Sequence, residues 1–244
     1  QSTQNVSNLY AYIVRLDPTS GARTLVSQFP LNYPRGCASR VGGSCYDAEW
    51  RPWTSELRTL CVDQDGNGVC QLAFDKHLIY PQAIVTSIDV DVDGAMVISL
   101  LDRNGFQTGY QNYDTGTPPI LISLDGSTLP AAPSPITRYD GASAGDILRL
   151  CRAGSGYQLE SNGSCPGLPA TAGANENPAQ GPGGGEWFWQ DNHPVNGGPL
   201  NSSVHDETAV GAAKVMPAVG DVVATLYNPL GAVTNAATLQ IAAC

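Results

Sequence analysis

Apolar positions in this chain recur at every second residue far more often than at helical spacing. Residues 84–92 are the clearest case: Ile88, Val90 and Val92 fall on one side, and Asp89, Asp91 and Asp93 on the other. That is the period of a strand with unlike faces. Asp93-Gly94 follows, a pair suited to a tight hairpin turn, and residues 95–101 read as the returning strand. Residues 9–16 run into Asp17-Pro18-Thr19-Ser20-Gly21, a turn, and then a strand over 22–29. A strand at 119–124 is closed by Asp125-Gly126. Strands at 146–151 and 157–160 flank Ala153-Gly154-Ser155-Gly156. Residues 185–190, 221–227 and 239–243 read as further strands. Helical patterns are confined to 54–58 and 208–215, both short; 105–118 and 166–184 read as loops.

Short strands at this spacing predict one all-β domain over residues 1–244. Strand, Asp-Gly turn and strand units favour a β-propeller-like array of short antiparallel sheets. A β-sandwich is the alternative, since no clean repeat period emerges. The 27 glycines and 18 prolines among 244 residues fit a turn-rich chain. A hydrophobic content of 42% with 14% charged residues argues against disorder. The 12 Lys and Arg against 22 Asp and Glu give a net charge of −10, which excludes the basic footprint of a nucleic-acid binder and disfavours anionic membranes. The longest apolar run, 95–101, is far short of the roughly 20 residues of a spanning helix. Gln1 reads as a processed or truncated start.

Six of the seven cysteines fall in close sequential pairs: Cys37–Cys45, Cys61–Cys70 and Cys151–Cys165. Local disulfides would close loops of about 9, 10 and 15 residues, each contributing roughly 2.5–3 kcal/mol in the chain-entropy picture. No C-x-x-C or Cys/His knuckle points to a zinc site instead. Disulfides imply an oxidising compartment, hence a secreted or cell-surface location. Cys244 is left over, free to pair between molecules or with a further segment. Sequons at Asn5, Asn162 and Asn201 fit N-glycosylation of a secreted chain.

Several stretches together carry a resemblance. They are Tyr80-Pro81-Gln82, the run from Ser87 to Val97, Asp102-Arg103-Asn104-Gly105 and Gln107-Thr108-Gly109. Ala144-Gly145-Asp146-Ile147-Leu148-Arg149, the run from Gly181 to Phe188, and His205-Asp206-Glu207-Thr208-Ala209 with Pro217, Gly220 and Asp221-Val222-Val223 complete the set. In order and spacing this resembles a β-propeller-like region of large secreted bacterial surface proteins that often carry SdrD/Cna-B-type B repeats. The resemblance spans most of residues 9–230. It implies a propeller and a surface location, and brings no enzyme activity. In such proteins the propeller continues on both sides, so an open ring or a fragment is expected here, with sheet edges to be covered.

Candidate chemistry is sparse. Asp63, Asp65 and Asn67, with Gly68 in the same loop, place oxygen ligands at alternate positions, as a calcium loop does. Phe74 stands where an EF-hand needs its bidentate Glu, and a polar hairpin turn is the plainer reading. The Asp89, Asp91, Asp93 row would bind a cation, pair with Arg103 or sit solvated at a sheet edge. Glu186, Asp191, His193, His205, Asp206 and Glu207 gather carboxylates and imidazoles in the C-terminal third, without the spacing of a known metal or triad motif. Trp187 and Trp189, with Trp50 and Trp53, would form either a sugar-stacking platform or core.

The leading expectation is an extracellular structural or adhesive module, self-assembling into a surface filament or sheath or joined to other surface proteins, with no catalytic activity. A glycan- or partner-binding propeller is the first alternative. A secreted metal-dependent hydrolase or lyase is the second, with His205 and Glu207 in its site. Calcium is the one cofactor expected.

Overall fold

In a computed structural model, the chain is built almost wholly of short strands. The structure describes residues 5–36, 40–41, 44–45, 48–61, 76–113, 120–123, 126–128, 138–140, 145–166, 181–188, 193–194, 203–205, 209–216, 221–226 and 241–243. In chain order come β1 (Tyr10–Leu16), β2 (Arg23–Pro30), β3 (Arg40–Val41), β4 (Ser44–Cys45), β5 (Arg58–Cys61), β6 (Lys76–His77), β7 (Ala83–Val90) and β8 (Met96–Asp102). The helix α1 (Arg103–Thr108) precedes β9 (Tyr110–Tyr113), β10 (Ile120–Ser123), β11 (Arg138–Asp140), β12 (Asp146–Ala153) and β13 (Gly156–Leu159). The last strands are β14 (His193–Pro194), β15 (Ser203–His205), β16 (Ala209–Met216), β17 (Asp221–Leu226) and β18 (Ile241–Ala243).

β8 reads as a nearly unbroken apolar run, and β12 is buried over its first six residues, as strands covered on both faces are. They pair antiparallel at the centre of a sheet of order β13-β12-β8-β7, flanked by the hairpins that each forms with its outer neighbour. Alternation sorts their side chains. Ile98, Leu100, Leu148 and Leu150 pack against Ala11, Ile13 and Phe29 of the β1–β2 hairpin and against Trp50. Val97 and Ile147 face the other way, onto Ala209, Ala213 and Val215 of β16, Val222 and Ala224 of β17, and Trp187 and Phe188. Burying one such side chain contributes about 1.5–3 kcal/mol. Three layers result: the hairpin, the central sheet, and the β16-β17-β18 sheet.

One glycine sets the spacing of the last two layers. A Cβ on Gly145 would lie 2.0 Å from the Leu100 carbonyl oxygen and 2.2 Å from that of Ala209. Its own N–H donates to the Ala209 carbonyl at 2.9 Å, tying the start of β12 to β16.

The chain between β8 and β12 leaves the central sheet and builds small ones beside it. β10 pairs with β5 and β11 with β6, both parallel, while β11 and β9 are antiparallel. Leu60, Leu78, Tyr80 and Ile122 fill a separate small core there. The all-β class is as expected. The expectation of purely antiparallel sheets is corrected, because this long excursion returns past β5 and β6 in their own direction. Among the described residues the sheets stack and no ring closes.

Four local expectations also change. Residues 54–58 form no helix and lead into β5. The stretch expected as a helix at 208–215 is β16, where buried and exposed side chains alternate against the central sheet. Its alanines favour a helix locally, and packing overrides them. Residues 185–188 are irregular after a 3-10 turn at Pro182–Gly184, not a strand. Conversely, the loop expected from 105 begins inside α1. Asp102 caps that helix, its carboxylate accepting from the Asn104 N–H at 3.0 Å.

Candidate functional site

The alternating strand β7 keeps its two rows but reverses their roles. Its aspartates are the engaged row. Asp89 accepts from the Lys214 ammonium at 2.8 Å and from the Val215 N–H at 2.8 Å, both on β16. Just beyond the strand, Asp91 and Asp93 both take Nη2 of Arg149 on β12, at 3.0 and 2.5 Å. Arg103, the partner expected from the sequence, is not involved, and Asp91 is buried, which corrects the solvated-edge expectation. Burial raises the Asp89 pKa, but the Lys214 ammonium and two backbone N–H groups outweigh it and leave the carboxyl below its ordinary range.

Beneath the hairpin lies a buried polar knot. Arg35 is fully buried and stacks on Trp50, its guanidinium carbon 4.4 Å from the ring centroid. Its charge acts on two fully buried carboxylates, Asp102 and Asp146. The Tyr33 hydroxyl donates to Asp146, and Trp50 Nε1 donates to Tyr33 at 3.4 Å. Burial pushes Asp102 and Asp146 each up to about 6, against the pull of Arg35 and of the hydrogen bonds they accept. Burial also drives Glu160 well above its ordinary range, with the Asp146 charge adding to it. These carboxylates are sealed from solvent, so their work is to lock loop residues 33–35 and 50 onto the central sheet.

Other sequence candidates divide sharply. The Cys151–Cys165 disulfide is present, with Cα atoms 5.4 Å apart. Cys61 is also disulfide-bonded. Cys37 and Cys70 lie outside the described residues, and so do Asp63, Asp65 and Asn67 of the expected calcium loop. Among the described residues no group of three or more His, Cys, Asp or Glu is placed to hold a metal. Also among them, no helix is long and apolar enough to cross a membrane.

Asn5 and Asn162 are exposed, each in a turn. Asn201 and Trp189 lie outside the described residues. Trp187 is no stacking platform: it is buried in the core, and Arg149 covers its ring at 4.9 Å. Glu186 is fully buried. His193 and His205 are cross-strand partners in β14–β15, while Asp191, Asp206 and Glu207 lie outside the described residues.

What remains uncovered is apolar. On the outer face of β1, Tyr10, Tyr12, Val14 and Leu16 are 40–59% exposed, and Leu25, the partner of Val14 across the hairpin, joins them at 54%. The stripe runs about 20 Å at 3.3 Å per residue. Strand β1 is thus apolar on both faces and covered on one, while on β2 the same outer face carries Gln28 opposite Tyr12 and Arg23 opposite Leu16. On β7, Val85, Ile88 and Val90 are also exposed. They pair with Leu100, Ile98 and Met96, so they form an uncovered margin of the sheet face on which the hairpin sits. A reading that turns every apolar row inward misses both stripes; the clue was that the β1 sequence is apolar at odd and even positions alike.

No protein-family model matches the chain, and no solved structure matches it. Two curated proteins of Dictyostelium discoideum are similar to it. Colossin-A is 28% identical over 194 residues, which is 77% of this chain and 1% of Colossin-A. Colossin-C is 27% identical over 220 residues, which is 87% of this chain and 16% of Colossin-C. The chain therefore spans a small part of the length of the curated relatives it matches.

Proposed function

We propose that this chain is an extracellular structural module that joins to a second copy of itself through the outer face of β1–β2, without catalytic activity. The observation that carries the reading is strand β1, apolar on two faces and covered on one. The centre of the middle sheet supplies the rule for what such a face takes, because both faces of β8 and β12 are covered by further β-sheet of the same chain. The outward side of β16 is a poor match for a fourth layer, since it carries Ala212 and the exposed ammonium of Lys214. Two hairpin faces meeting about a two-fold axis cover each other at once. In this reading the three layers are successive sheets of an open, propeller-like array.

The extracellular setting is supported by the Cys151–Cys165 disulfide and by exposed sequon asparagines at Asn5 and Asn162. Similarity to stretches of much longer proteins fits a module used beside others. Sedimentation velocity over a concentration series tests the joining. Self-association that Tyr12→Glu abolishes, with the thermal unfolding midpoint kept, is the expected result. A wild-type chain that stays monomeric throughout the series contradicts it.

A further inference from the structure

Away from the hairpin, α1, β9 and the segment before β5 enclose an open cleft of about 440 Å³. That falls within the size range of small-ligand pockets, roughly 300–1,000 Å³. Its lining includes Glu56, Arg103, Gln107, Thr108, Asn112 and Tyr113. We propose that this cleft binds a saccharide, with Tyr113 as the stacking face and Gln107, Asn112 and Arg103 as the hydroxyl-reading groups.

The chemistry rests on three features. Tyr113 leaves most of its ring bare, at 73% exposed, beside the cleft. An aromatic face of this kind takes the C–H face of a pyranose ring, and its hydroxyl end stays wet. Arg103 and Gln107 stand one turn apart on α1, so they share a side of the helix. With Asn112 they offer planar amide and guanidinium groups, whose paired donors and acceptors match vicinal hydroxyls.

These groups are held before any ligand arrives. Arg103 Nη1 donates to the Thr54 carbonyl at 2.9 Å and to Gln82 Oε1 at 2.6 Å, and its guanidinium stacks on Trp53 at 4.9 Å. Among the described residues it forms no ion pair and no further side-chain hydrogen bond. Asn112 Nδ2 donates to the Thr108 carbonyl at 2.8 Å, which leaves Oδ1 as an acceptor. That reach requires Gly109: its φ is +67°, and a Cβ there would lie 2.3 Å from Asn112 Nδ2. Glu56, a carboxylate in the lining, is already paired to Arg58 at 2.7 Å. A preformed, mostly neutral polar lining with one bare aromatic ring suits a hydroxyl-rich ligand better than an apolar one.

This inference does not depend on self-association. Titration calorimetry and saturation-transfer NMR with tetrasaccharides of mannose, glucose, N-acetylglucosamine and galacturonate test it on the intact chain. At least one should bind, with saturation on one face of a ring and a change in tryptophan emission from Trp53 beneath Arg103. Tyr113→Ala and Gln107→Ala, both at exposed positions, should each weaken binding about five- to tenfold without moving the unfolding midpoint. Preference for galacturonate would mean that Arg103 meets a carboxylate; preference for a neutral sugar would mean that it meets hydroxyls. Both outcomes support the site. Failure of all four to bind at millimolar concentration, or binding that survives Tyr113→Ala unchanged, overturns it.

Discussion

Strand β12 of the central sheet and strand β1 of the hairpin both carry apolar side chains on two faces, yet only β12 is covered on both. Leu148 on β12 is fully buried between layers, whereas Val14 on β1, no less apolar, is 48% exposed. Residue chemistry is alike in the two places, and only the number of neighbouring layers differs. Burial in this molecule is thus decided by stacking order. A strand at the end of the stack keeps the sequence of an interior one.

Substitutions should separate the two regions cleanly. Leu148→Ala removes side-chain volume from a site packed on all sides and should cost about 2–5 kcal/mol, read as a large fall in the denaturation midpoint. Val14→Ala should stay within about 0.5 kcal/mol for the monomer. Equal losses at the two positions would end the comparison.

The polar knot between the two regions gives an effect of the same order. Arg35→Met strands two buried carboxylates and should cost about 3–5 kcal/mol at neutral pH. The loss should shrink at pH 5, where protonation removes the stranded charges; urea titration at the two pH values measures it.

Breaking Cys151–Cys165 frees a loop that staples the β12–β13 edge, with a sequence separation of 14. Cys151→Ala with Cys165→Ala should lower stability by about 3 kcal/mol. The effect should fall on the central sheet and leave the hairpin's outer face unaltered, as peptide-resolved hydrogen exchange would report.

A smaller effect than that of the knot is on pH dependence. Asp102 and Asp146 hold their protons up to about pH 6 when folded but only to about 4 when unfolded. Their charged forms therefore penalise the fold above pH 6, and the penalty is relieved as pH falls from 6 towards 4. Stability should rise by the order of 1–3 kcal/mol between pH 7 and pH 5. Asp17 and Asp89, with lowered values, lose their contribution only below the ordinary carboxylate range, outside that window. A monotonic fall in stability from pH 7 to pH 5 would contradict this assignment.

Much of the strand plan was legible because it is local. The Asp17–Gly21 and Asp93-Gly94 turns, and the two-residue period around them, define β1, β2, β7 and β8 without reference to the rest of the chain. What escaped was settled at long range. Arg149 reaches Asp91 from 58 positions away, and Ser87 Oγ meets β16 across 126, so nothing in the β7 sequence says that its aspartates are the engaged row. The same is true of β16, whose alanines read as helix until the central sheet is placed beside them. Trp187 read as either a stacking platform or core, because an aromatic residue in a sequence does not say what covers it; Arg149 closes over its ring. The α1 cleft was missed for a different reason: Asp102 and Gly109 both signal helix ends, but a six-residue helix is too short to show its period.

Hydrogen exchange of the intact chain at low and high concentration tests the joining of hairpins most directly. As concentration rises, amides of Tyr10–Leu16 and Arg23–Pro30 should slow while those of Asp221–Leu226 keep their rates. Exchange in β1 and β2 that is the same at every concentration would contradict the account.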